Sequence, residues 1–141
     1  MGDREEITAL VYRYAELLDG GDIDGVVALF DRATWRSGAT GAVLRTPTEV
    51  RAVYDHIALY DGIPRTRHLM TNVVIDVAEG ADEAAGHSSF TVIQAVERGG
   101  PIEVVVTGRY DDVYRRGPDG WHFADRLFRS DLAGDQSRHF E

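Results

Sequence analysis

Cysteine and lysine are both missing from this 141-residue chain. Without cysteine there is no disulfide, no thiolate metal ligand and no cysteine nucleophile, and the composition fits a reducing cytosol. Without lysine all fifteen cations are arginines, and Schiff-base or lysine-base chemistry is excluded. No segment approaches the roughly 18 consecutive apolar residues of a membrane span. The start, MGDREEITALVYRY, has acidic residues before its apolar positions and lacks a basic leader, so a cytoplasmic location and no membrane partner are expected. A net charge of -9 repels a phosphate backbone and argues against nucleic acid.

Phosphate loops, nucleophile elbows and dinucleotide fingerprints are also missing. His56, His87, His122 and His139 fit no ligand spacing such as HExxH and read as isolated structural histidines. Neither a metal nor an organic cofactor is expected. Any site must be assembled from His, Asp, Tyr, Arg and Trp.

What is present reads as one α+β domain over residues 1–135 with a flexible tail over 136–141. Ile7, Leu10, Val11, Tyr14, Leu17 and Leu18 recur at helical spacing until GGD breaks the pattern. Asp22 or Asp24 can cap a second short helix. ATWRSGATGAVLRT reads as two short strands, and Thr46, Pro47 and Glu49 open a third helix with a capping box. From Arg67 the period becomes two, in runs over 67–78, 84–97, 102–115 and 121–131 joined by hairpin-like links. Helices first and long antiparallel strands afterwards predict a strongly curved sheet wrapped against helices.

Asp19 follows the apolar stripe of helix 1, at the negative end of the helix dipole. It is either a solvated turn residue of LDGGD or a carboxylate held there for a purpose. His68 heads a strand whose period-two neighbours are Met70, Asn72 and Val74, a mixed face suited to a pocket wall. It reads equally as a general base or as a polar strand end. GRYDDVYRR sets Tyr110, Asp112 and Tyr114 on one strand face, and GWHFADRLFRSD sets Trp121, Phe123, Asp125, Leu127 and Arg129 on another. Surface Asp and Arg pairs explain most of these; Asp112 is the candidate buried acid. Tyr14 and Tyr54 lie on apolar helix faces, as core residues or facing an enclosed cavity.

The segments LDGGDIDGVVALF, TRHLMTN and GRYDDVYRRGPDGW resemble the SnoaL-like branch of the nuclear transport factor 2-like superfamily over nearly the whole chain, most of all the group of scytalone dehydratase and hexachlorocyclohexane dehydrochlorinase. The resemblance implies a cone-shaped curved antiparallel sheet around N-terminal helices, enclosing an apolar pocket with Trp35, Met70, Asn72 and Val74 in its wall. It also implies that Asp19 and His68 form a catalytic dyad. A second histidine of scytalone dehydratase falls near Ile93 and is not matched, and the dehydrochlorinase lysine has no equivalent. Tyr14, Tyr54, Asp112 or Arg129 is then left to assist the leaving group or position the substrate.

The implied activity is a cofactor-independent, dehydratase-like lyase acting on a hydrophobic cyclic small molecule. Its alternatives are a polyketide cyclase or ketosteroid-isomerase-like enzyme, in which Asp112 outweighs His68, and a non-catalytic small-molecule-binding domain. Alternating apolar residues in VIQAVE and IEVVVTG predict a homodimer through the sheet, with a trimer as the second option.

Overall fold

The computed structural model describes residues 2–141. Helix α1 (Asp3–Asp19) buries Ile7, Val11, Tyr14, Leu17 and Leu18 of the stripe its periodicity predicts, together with Ala15, while Leu10 is half-buried. Helix α2 (Ile23–Leu29) is capped by Asp22, whose Oδ1 accepts the Gly25 N–H at 2.8 Å. Strands β1 (Thr34–Ser37) and β2 (Val43–Leu44) follow, then α3 (Pro47–Tyr54), capped by Thr46. Four long strands complete the chain: β3 (Thr66–Asp76), β4 (Glu83–Gln94), β5 (Glu103–Gly117) and β6 (Gly120–Ala133).

These strands form a single six-stranded sheet in the order β2-β1-β6-β5-β4-β3. All its pairings are antiparallel except β1 with β6, which is parallel. The sheet curves without closing, and its concave face packs against α1, α2 and α3 around one core that includes Phe30, Val50, Phe90, Val92, Tyr114 and Phe123. On the outer face Leu69, Val104 and Leu132 stay 43%, 55% and 70% exposed.

Bulges break the period-two pattern. At Asn72, which adopts φ 51°, the β3–β4 register slips between Thr71 and Val74. The inward side chains therefore change from Thr66 and His68 to Val73 and Ile75. A second slip falls between Val113 and Tyr114, where Asp125 pairs with the first and Phe123 with the second. Beyond the extra residue Ala124, Arg126 and Phe128 turn inward while Asp125 and Arg129 turn out.

The tail is folded back rather than loose. Ala58 N–H donates to the His139 carbonyl at 2.8 Å, Glu141 N–H to the His56 carbonyl at 2.7 Å, and Phe140 bridges to Ile57. Gln94 Nε2 reaches the Arg138 carbonyl at 3.1 Å, and the Arg138 guanidinium meets Glu103 at 2.9 Å. Those bonds cross to the loop after α3 and to two strands, contacts that local composition does not encode.

The turn after α1 fixes the position of Asp19. Gly21 has φ 77°, and a Cβ there would lie 2.1 Å from the Gly62 carbonyl oxygen. Left-handed backbone and close approach both require glycine. Gly21→Ala is expected to destabilise the fold by about 2 kcal/mol or more. An unchanged urea midpoint would show that the contact is not tight.

Candidate active site

A carboxylate at the C-terminal end of α1 is disfavoured by the helix dipole, and three donors offset that cost. Asp19 Oδ1 accepts from Thr66 Oγ1 at 2.9 Å and lies 2.6 Å from His68 Nδ1. Its Oδ2 accepts the His68 backbone N–H at 2.7 Å. β3 supplies all three donors because Thr66 and His68 stand two apart on one strand face. His68 is only 8% exposed. Asp19 engages the imidazole through Nδ1, and Nε2 has no hydrogen-bond partner among the described residues.

His68 borders a cavity of about 240 Å³ between the helices and the concave sheet face. Its wall is aromatic and aliphatic: Tyr14 and Leu18 from α1, Trp35 from β1, Tyr54 and Ile57 at the end of α3, and Phe90, Val92, Val106, Tyr110 and Phe128 from the long strands. Trp35 stacks on Phe128 with ring centroids 5.8 Å apart, and Phe90 stacks on Tyr110 at 4.7 Å. Among the described residues no aspartate, glutamate or arginine lines this space.

Its polar residues are three tyrosines, Trp35, His68 and His139, with Ser130 and Gln136 at its border. Tyr14 and Tyr54 share a hydrogen bond of 3.0 Å between their hydroxyls, and Tyr110 donates to Tyr14 at 3.4 Å. Burial, the largest influence, pushes all three phenols well above their ordinary range, so they act as neutral hydrogen-bond donors. Tyr14 also meets the His68 ring edge-on, with centroids 6.2 Å apart.

Beneath this cluster runs an ion pair that no sequence pattern announces. Arg126 is 0% exposed, and its Nε and Nη2 donate to Asp112 at 2.8 and 3.0 Å. The guanidinium carbon lies 3.7 Å from the Tyr110 ring centroid and 4.5 Å from that of Tyr14. Burial opposes the arginine's charge, but the charge and hydrogen bonds of Asp112 outweigh it and raise its pKa.

Five of the expected site residues lie elsewhere. Asp112 is committed to Arg126 and to the Tyr114 hydroxyl at 3.0 Å, and it does not line the cavity. Arg129 faces out and pairs with Asp111 at 3.3 Å, because the bulge at Ala124 reversed its face. Met70 packs against the core away from the cavity, Asn72 is exposed within the β3 bulge, and Val74 is half exposed beyond it. The structure brings together Asp19, His68, Tyr14, Tyr54 and Trp35.

A family model described as a SnoaL-like domain matches residues 1–127. The chain belongs to the SnoaL-like family. Among curated proteins none matches it. The SnoaL-like chain shares its fold with ActVI-ORFA from Streptomyces coelicolor, at TM-score 0.77 and 20% identity over 93% of this chain and 98% of that one. It is likewise similar to a nuclear transport factor 2-like protein from Novosphingobium aromaticivorans, at TM-score 0.73 and 20% identity over 96% and 86% of the two chains. A third structure, provisionally named a scytalone dehydratase, comes from the same organism and gives TM-score 0.73 and 19% identity over 94% and 86%. At these identities the likeness establishes the fold alone.

Three residues of the SnoaL-like domain's site escape a reading of its sequence. Thr66 was legible in principle, two positions before His68 on the same face. Tyr110 shares the buried strand face of Asp112 and Tyr114, as the alternation predicts. His139 gave no signal, since the fold alone carries the tail over the cavity.

Proposed function

We propose that this domain is a lyase of the dehydratase type, removing a carbon-bound proton from a neutral, hydrophobic cyclic small molecule with His68 as base. One observation carries the reading: the Nδ1 of His68 is bound by Asp19 while its ring borders an aromatic cavity. Neutral His68 takes the proton at Nε2, and Asp19 holds the tautomer and stabilises the imidazolium that forms. The tyrosine hydroxyls, kept protonated by burial, donate hydrogen bonds to a substrate carbonyl or to a departing hydroxyl.

Substrate class follows from the wall. With no arginine or carboxylate among the described residues facing the space, a charged ligand has no counter-ion, whereas a flat ring system can pack against the aromatic wall of Trp35, Phe90 and Phe128. The provisional dehydratase name of one structural neighbour is in keeping with this chemistry.

The test is incubation in deuterium oxide with a panel of neutral mono- and bicyclic β-hydroxyketones, followed by proton NMR. Loss of the carbon-bound proton together with water elimination is expected. Exchange without elimination would support proton abstraction at this site but overturn the dehydratase reading. Exchange no faster than in buffer across the panel would overturn proton abstraction at this site.

A further inference from the structure

His139 is a buried imidazole that none of the described residues satisfies. Only 3% exposed, it has no hydrogen bond to either ring nitrogen among the described residues, and Nδ1 is fully enclosed. A buried polar group left unpaired costs about 1–3 kcal/mol. Yet the backbone holds the ring in place: the His139 carbonyl accepts from Ala58 N–H at 2.8 Å and its N–H donates to the Gln136 carbonyl at 3.0 Å. The ring borders the same cavity as His68. The two are close enough for repulsion from His68 to add to burial in lowering His139 to about 4, with Asp19 pulling the other way. The other histidines differ: His56 and His87 are exposed, and His122 Nδ1 lies 3.0 Å from the Phe123 carbonyl.

We propose that His139, carried by the C-terminal tail, is a second ligand-binding residue of this cavity, exchanging a hydrogen bond with a hydroxyl or carbonyl oxygen of the ligand beside His68. A neutral imidazole offers one donor and one acceptor, the complement of a neutral hydroxyl. A hydroxyl seated there pairs with Nε2, which has no hydrogen-bond partner among the described residues and, unlike Nδ1, is not fully enclosed, and it lies next to the base. The tail thereby becomes part of the site, and a ligand ties residues 136–141 more firmly to the body of the fold. This inference rests on the cavity being a ligand site, as proposed above.

The experiment uses the whole chain with nitrogen-15-labelled histidine and two isosteric probes, 2-naphthol and 2-methylnaphthalene. The resonances of His139 are identified from His139→Gln. Binding of 2-naphthol is expected to shift a His139 ring-nitrogen resonance, and 2-methylnaphthalene is expected to leave it in place. In His139→Phe the affinity advantage of 2-naphthol over 2-methylnaphthalene should fall about fivefold, with part of it restored in His139→Gln. Equal shifts with both probes, or an unchanged advantage in His139→Phe, would overturn the role of His139 while leaving the cavity as a ligand site. Failure of the wild-type protein to bind either probe would overturn the ligand site and this inference together.

Discussion

Replacing His68 with alanine is expected to reduce proton abstraction by about 10²–10⁴-fold, the usual contribution of a positioned general base. The fold should survive. Asp19 would lose the Nδ1 donor, but the Thr66 hydroxyl remains, and so does the backbone N–H at position 68, which alanine retains. Circular dichroism and thermal unfolding separate loss of chemistry from loss of structure. Activity within tenfold of wild type in a folded His68→Ala protein would falsify the dyad. Asp19→Asn is the companion variant. An amide cannot offer acceptors to the His68 backbone N–H on one side and to Thr66 and Nδ1 on the other, so its NH₂ group would face a donor. The imidazole would then lose its fixed tautomer as well as its charge partner, and a rate loss of similar order is expected.

The contrast between Asp19 and Asp112 shows what the sequence carries and what it withholds. Helix α1, the N-caps Asp22 and Thr46 and the four long strands are local features, written in periodicity and turn chemistry, and each falls within a few residues of its expected place. Facing within a strand is another matter. A bulge adds one residue and reverses every side chain beyond it, and neither Asn72 nor Ala124 advertises one. The candidates before each bulge face the interior as the alternation predicts: His68 on β3, Trp121 and Phe123 on β6. Those beyond it do not: Val74 and Arg129 are turned out, and Arg126, absent from the inward face in the sequence pattern, becomes a fully buried charge. His139 was illegible for a different reason. Its burial depends on a tail docking across residues more than forty positions away, Gln94 among them.

The Asp112–Arg126 pair sets the largest stability effect. Asp112→Ala is expected to cost about 3–5 kcal/mol, because it leaves a guanidinium with no exposed surface and no counter-ion. Against a total of about 5–15 kcal/mol for a domain of ordinary stability, much of the fold's margin is at stake. The rings of Tyr110 and Tyr14 against the guanidinium recover only part of this, since cation–π contacts contribute about 2 kcal/mol at best. Arg126→Met is the milder single change. It leaves a carboxyl that can neutralise itself by taking up a proton and still has the Tyr114 hydroxyl as partner. The double variant Asp112→Leu with Arg126→Met removes both charges and should regain most of the stability lost in Asp112→Ala. Urea unfolding compares the four proteins, and a loss below about 1 kcal/mol in Asp112→Ala would show that the pair is not needed to hold the charge. Ligand binding in the double variant adds a functional readout. Arg126 underlies Tyr14 and Tyr110 in the cavity wall, so a stable double variant with weakened binding would mean that the ion pair supports the tyrosine donors as well as the fold.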